Sequence, residues 1–470
     1  MVTTVAELAD ALQSVFTTEA DDAADASGWL RRRRCLDGPT FVQTLTFGWL
    51  ANPHAPLDEL AELADELGRP VSPQALDQRF GPRAADCLAR VLHAALLHLI
   101  EADAVAAPLL RRFAGVFVRD CSTITLPSAL AELLPGCGHS RPRRDSAGLK
   151  LHVGLDLVSG ALEGVGLHPA KTADRSCAGS HAPLPEGALL LEDLGFFDVP
   201  RLRHYASQGC YILSRAPARL LVRAPGQRPQ NIDQFLAGLT ADCFDGTVTV
   251  GRRHKAWRCR LIAVRVPPEV EQQRRQRVLD EAKKLGRAVS ARRLALCGWT
   301  VLLTNAPAAL LSVAEALALR RVRWQIELLF RVWKDEGKVD ESRGRKPYRV
   351  LCEVLAKLLG QVVQHWATLL AGSPLEISAV KAARRVRRRA ARLAEVLGQY
   401  QALVALLGRL QGRLRRFARK RGRGGRPTTL EVVNAPREHG YVVPPVEQAA
   451  GTSEETPVCP PALPEVVQAA

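Results

Sequence analysis

Along residues 320–334 the apolar positions recur at the three- and four-residue steps of a helix: Val322, Ile326, Leu329, Phe330 and Trp333. A second stripe, Arg320, Arg323, Glu327 and Lys334, recurs at steps of three, four and seven. At about 100° per residue these four fall within roughly 60° of one another, bordering the apolar face. A carboxylate set among cations can hold a metal while the cations hold phosphates. It can equally belong to a ladder of ion pairs, Arg323 to Glu327 and Glu327 to Arg331. Spacing leaves both readings open.

The periodicity changes along the chain. Residues 1–30 suggest a first helix, and from Gly38 to Leu99 the pattern is helical, with Phe41, Leu45 and Trp49 on one stripe. Gly68 suits a helix stop, Ser72 an N-cap and Pro73 a first helical position. The stretch resembles a helix–turn–helix whose Gln74, Gln78 and Arg79 either touch DNA or simply pack. Near residue 115 alternation takes over. Val116-Phe117-Val118 runs into Arg119-Asp120-Cys121-Ser122-Thr123, and residues 149–157 and 161–167 read as strands joined at Ser159-Gly160. Residues 187–192 form an apolar strand ending at Glu192-Asp193, followed by a helix over 199–208 and a strand over 211–215. Strands mixed with helices predict an α/β core. Residues 216–300, with alternating strands near 247–251 and 257–265 and a charged helix at 269–284, read as a β-rich insertion. A strand follows at 299–305. The chain is helical again at about 348–370 and 377–418.

These patterns divide the chain into a helical N-terminal domain (1–110), an α/β domain (111–350), a basic helical C-terminal domain (351–430) and a proline-rich disordered tail (431–470).

Charge sharpens this picture. The 470 residues carry a formal net charge of +17, with a pI near 9.8, which favours a polyanionic partner. Residues 371–426 hold sixteen Lys or Arg against Glu376 and Glu395, a balance of +14. Arg31–Arg34 is a four-arginine run, 136–147 reads as a basic loop around Arg141, Arg143 and Arg144, and 421–426 as a basic linker. No run of eighteen apolar residues and no signal-like N-terminus occurs, so the expected protein is soluble, cytoplasmic and without a membrane partner. Eleven scattered cysteines with no Cys-x-x-Cys pair argue against zinc and against a disulfide framework.

Asp120 and Asp193 each sit at the C-terminal end of an apolar strand, where α/β sheets place their chemistry. Singly, each reads as a turn or helix cap. Taken with Glu327 they make three acids in a very basic chain, without Cys or His partners. That donor set suits Mg²⁺ or Mn²⁺, and two such ions can promote phosphodiester cleavage.

Three motifs carry a resemblance to a known family. Asp120-Cys-Ser-Thr is followed by Lys150-Leu-His-Val-Gly-Leu-Asp; Asp193-Leu-Gly-Phe-Phe is followed by Ile212-Leu-Ser-Arg215; three residues separate Arg323 from Glu327, and six separate Glu327 from Lys334. Over roughly residues 35–370 the chain resembles a DDE transposase of the bacterial insertion-sequence four type, with its Tyr-Arg-Glu-Lys signature. The resemblance implies an RNase H-like (retroviral-integrase-like) α/β core. It implies that Asp120, Asp193 and Glu327 bind two metal ions, and that DNA is contacted by Arg320, Arg323, Lys334, Arg215 and Lys150. Trp299 occupies the place of a base-stacking tryptophan, or is a core residue. The signature tyrosine falls at Arg320, where a guanidinium can still bind phosphate. The implied activity is binding of terminal inverted repeats in double-stranded DNA, with cleavage and strand transfer by a homodimer. A decayed copy acting as a repressor, or a nuclease without strand transfer, are the alternatives.

Overall fold

A computed structural model describes residues 2–30, 36–137, 146–252, 256–422, 426–439 and 446–447. The basic runs at 31–34 and 141–144, and the centre of the linker at 421–426, lie outside the described residues.

The first helices are α1 (Val5–Phe16), α2 (Thr18–Ala26), α3 (Gly38–Ala51), α4 (Leu57–Glu66), α5 (Pro73–Asp77) and α6 (Pro82–Leu97). Their ends follow from local chemistry. Thr4 and Glu7 close a capping box on α1, Asp37 caps α3, and Ser72 caps α5 with Pro73 in its first turn. Gly68, past the end of α4, takes φ +77°, the left-handed conformation of a helix stop.

Strands β1 (Val116–Leu126), β2 (Ala147–Asp156), β3 (Leu162–Pro169), β4 (Leu189–Glu192) and β5 (Tyr211–Arg215) follow, with α7 (Val199–Ser207) between the last two. Then come β6 (Leu221–Arg223), β7 (Gln230–Asn231), α8 (Ile232–Ala237), β8 (Cys243–Val250), β9 (Trp257–Arg265), α9 (Pro268–Lys284), α10 (Ala291–Ala295), β10 (Trp299–Thr304) and α11 (Val313–Val322). The chain continues through α12 (Trp324–Asp335), α13 (Pro347–Leu369), α14 (Ala379–Arg387), α15 (Ala390–Val396), α16 (Tyr400–Phe417), α17 (Thr429–Asn434), α18 (Pro436–His439) and β11 (Val446–Glu447).

Contacts divide the molecule into two units, Met1–Ala182 with Leu319–His439, and Pro183–Ala318 with Gly440–Ala470. This differs from the serial domains expected. The reason is α13, buried on every side from Val350 to Leu369. A helix buried all round lies inside a core, and α13 carries even an ion pair, Glu353 with Lys357, into it; it packs on α3, α6 and α14, so the N- and C-terminal helices share one interior. In the same unit β1 pairs antiparallel with β2, and β2 with β3. The second unit holds a mixed sheet in the order β4-β5-β10-β9-β8-β6-β7. There β4 and β5 run parallel and β10 lies antiparallel beside β5, while the strands of the 216–300 segment extend the sheet beyond β10.

Two further expectations change. The segment from 431 does not begin as disordered chain: α17, opened by a Thr428–Glu431 capping box, and α18 carry helix to His439. Residues 320–334 form not one helix but two, because Arg323 is a turn residue between α11 and α12.

Candidate active site

Asp120 does not end a strand. It sits within β1, opposite Val153 of β2, because β1 pairs with β2 along almost its whole length, through the polar Cys121-Ser122-Thr123 as well. Lengthwise against this strand lies α12, which buries Ile326, Leu329, Phe330 and Trp333. Two contacts fix the relation. Arg323 Nη1 stands 3.4 Å from Asp120 Oδ2, and Lys334 Nζ donates to the Thr123 carbonyl at 3.0 Å. Arg323 precedes Lys334 on the helix as Asp120 precedes Thr123 on the strand, so helix and strand run the same way.

Arg323 also donates from Nη2 to Glu327 Oε1. Of the ladder weighed from spacing, the Arg323–Glu327 rung forms. The second rung does not: Arg331 lies over the Trp324 ring, 5.4 Å from its centroid. Arg323 reaches beyond any ladder, because its guanidinium joins Glu327 on the helix to Asp120 on the strand. Two carboxylates are thereby held one guanidinium apart, both partly open to solvent, with side chains 22% (Asp120) and 39% (Glu327) exposed. Arg320 lies half-buried near the end of α11.

In the second unit Asp193 directly follows β4, as the sequence pattern predicts. Its side chain does not cap the short 3-10 turn that comes next. It pairs instead with Arg215, Nη1 to Oδ1 3.5 Å. Parallel pairing of Glu192 with Ser214 brings these two residues to the same, C-terminal end of β4 and β5. The neighbouring acid takes a different role. Glu192 is buried and receives both terminal nitrogens of the buried Arg201, which also donates to the Phe196 carbonyl at 2.8 Å. Arg201 thus ties strand, turn and α7 together and fixes the backbone that presents Asp193.

Two residues expected to touch DNA face inward. Lys150 is 8% exposed, with Nζ 2.6 Å from Asp174 Oδ1. Alternation along β2 gave no sign that the turns at 174–181 cover this face. Trp299 is also 8% exposed, with the Arg265 guanidinium 4.4 Å from its ring centroid. Of its two readings, the core one describes it.

Sequence reasoning passed over Arg201 and Trp324. Trp324, 43% exposed and next to Arg323, falls outside the apolar stripe of its helix, which was the available signal. Arg201 shares the buried face of Leu202 and Tyr205, which spacing shows only once the helix is placed. Cys121, beside Asp120, has its Sγ 4.0 Å from that of Cys177. Burial pushes both thiol pKa values up, so neither is poised as a nucleophile.

Among the described residues no three His, Cys, Asp or Glu side chains form a ready cluster for a metal ion. The fit to a divalent ion rests on a smaller set. A cation already joins Asp120 to Glu327, and their oxygens are the hard donors that Mg²⁺ and Mn²⁺ prefer. An ion could take over the charge balance that Arg323 supplies.

Known insertion-sequence transposases are similar to this chain over most of its length. The transposase for insertion sequence element IS231F of Bacillus thuringiensis subsp. israelensis is 24% identical over 464 residues, spanning 91% of this chain and 95% of that protein. The transposase for IS231B of Bacillus thuringiensis subsp. berliner is 23% identical over 455 residues, spanning 89% and 93%. The putative transposase InsL for IS186A of Escherichia coli (strain K12) is 31% identical over 238 residues, spanning 48% and 63%. The family model described as the transposase DDE domain matches residues 112–360, a segment that holds β1, the Asp193 turn and α12. The chain belongs to the DDE transposase family.

Proposed function

We propose that this transposase binds the terminal inverted repeats of an insertion sequence, cuts there and joins the freed ends to a target, with Asp120, Asp193 and Glu327 as its metal-binding carboxylates. The observation that carries the reading is the Arg323 guanidinium joined to Asp120 and Glu327 at once. Such a pair of acids, drawn together from distant parts of a very basic chain, suits two Mg²⁺ or Mn²⁺ ions. Bound there, the ions would supply Lewis-acid activation of the attacking oxygen and charge stabilisation of the departing one.

The remaining roles belong to the chain itself. Displaced from the acids, Arg323 is free to grip a nonbridging phosphate oxygen in the bidentate way that a guanidinium favours. Lys334, about 10 Å beyond Glu327 along α12, meets the backbone about three base pairs from the metal-binding acids at 3.4 Å per pair. Arg320 and Arg215 add positive charge near Arg323 and Asp193. Two in-line displacements follow. Water attacks phosphorus at the element end and frees a 3′-hydroxyl, which attacks the second strand or the target. Neither displacement needs a protein–DNA covalent bond.

The catalytic core in this reading is RNase H-like, with the β-rich segment inserted between the second and third acids. The N-terminal helices read the repeats, the basic C-terminal helices hold flanking DNA, and joining two ends calls for a homodimer. A bacterial cytoplasmic site of action, on the nucleoid, suits a chain in which no described helix is long and apolar enough to cross a membrane.

Purified protein, Mg²⁺ and DNA carrying the element ends test this reading. Nicks at the element boundary followed by joined products, both abolished by a chelator, are expected. Binding without any cut would leave a repressor, and cutting without joining a nuclease.

A further inference from the structure

Helix α14 is built against its own stability. Lys381, Arg384, Arg385, Arg387, Arg388, Arg389 and Arg392 crowd residues 381–392, and Glu395 is the nearest acid in sequence. Lys381 and Arg385 stand four residues apart within the helix, as do Arg384 and the cap residue Arg388, a spacing at which like charges destabilise a helix. The helix dipole favours cations only in the last turn and so offsets part of this cost. Val386 and two alanines form the buried face, which turns the cations outward.

An ion-pair cluster ties the helix to the end of α12. Glu336, the residue that ends α12, accepts from Arg384 Nε at 2.9 Å and Nη2 at 2.8 Å, and its other oxygen lies 3.5 Å from Arg387 Nη2. Glu336 is nine residues beyond Glu327 and two beyond Lys334, about 13 Å along the axis from Glu327. At 3.4 Å per base pair that is about four base pairs. Arg388 and Arg389 directly follow Arg387, at the turn between α14 and α15, and among the described residues no side chain pairs with either.

We propose that the end of α14 and its turn into α15 form a phosphate clamp for duplex DNA, with Arg388 and Arg389 gripping the backbone about four base pairs from the scissile phosphate. Glu336 acts as a positioning residue that locks the clamp to the catalytic helix. This rests on the reading of Glu327 as part of the active site. A polyanion relieves the repulsion within α14, which otherwise costs stability and gains nothing for the fold.

The test is the salt dependence of binding by the full-length protein to a 30-base-pair duplex of arbitrary sequence, followed by fluorescence anisotropy. Each phosphate contact adds about 0.9 to the slope of log affinity against log salt. The double variant Arg388→Ala/Arg389→Ala should lower the slope by about 2 and melt no earlier than wild type, while Arg388→Lys/Arg389→Lys keeps the slope. An unchanged slope in the alanine variant overturns the clamp. On cleavable DNA, phosphates whose ethylation hinders wild type but not the alanine variant should cluster about four base pairs from the cut; a scatter without such a cluster overturns the placement. A lowered slope in a protein that never cuts leaves a DNA face but removes the active-site reading, so the two failures are distinguishable.

Discussion

At the scale of single residues, neighbouring acids on one strand end have opposite fates. Glu192 is enclosed with Arg201, while Asp193, one position on, is left to the surface side with Arg215. Truncating one partner of a buried ion pair strands the other charge. Arg201→Ala should therefore cost about 3–5 kcal/mol in urea denaturation, and replacing both partners by apolar residues should recover most of it. A loss below about 1 kcal/mol in the single variant would contradict the pairing. Two histidines make a pH prediction. Burial holds His152 and His365 down to about 4, although each ring bonds a backbone carbonyl. Their unfolded value is 6.5. The unfolded chain thus binds more protons between these limits, and stability is complete above pH 6.5 and falls as the pH drops toward 4. Each contributes about 3 kcal/mol across that window. Burial raises Glu163 to about 7, which acts in the opposite sense. Denaturation midpoints should fall between pH 6.5 and 4.5, and more steeply in Glu163→Gln.

At the scale of elements, the function turns on α12 lying along β1. Arg323→Ala removes the group joined to both acids and should slow nicking by about 10²–10³-fold, the usual cost of losing one preorganised donor. Arg323→Lys should recover only part, because an ammonium is a point charge and cannot span two carboxylates. Single-turnover cleavage measures both, and full activity of the lysine variant would mean that the fork geometry is irrelevant. The elements also show what the sequence can and cannot reveal. The apolar stripe of α12, the Ser72–Pro73 helix start and the strand ending at Asp193 were all legible, because periodicity and capping are local. The extent of β1 was not. Hydrogen bonding to β2 carries the strand through polar residues at which an apolar run appears to stop. Nor were the inward-facing Lys150 and Trp299, since alternation gives the two faces of a strand but not what covers each. The turn at Arg323 was hidden for a related reason: the heptad-like spacing of the cationic stripe continues across it.

At the scale of the whole molecule, residues 1–182 and 319–439 join into one unit across the segment between them. The N-terminal helices, β1–β3, α12 and the C-terminal helices share a core around α13, while the chain between residues 183 and 318 builds the mixed sheet with Asp193 and Arg215. No local pattern announces this, because it depends on α13 finding partners some three hundred residues earlier in the chain. The excess positive charge was visible at once in the composition, and family membership accounts for it through a DNA substrate. The central claim is that Asp120, Asp193 and Glu327 act together on divalent ions. It is tested most directly by single-turnover nicking in Mg²⁺ with Asp120→Asn, Asp193→Asn and Glu327→Gln, each at a protein concentration that saturates the DNA. Each variant should bind DNA as wild type does and lose cleavage by at least about 10²-fold; wild-type cleavage by any one of the three would contradict the account.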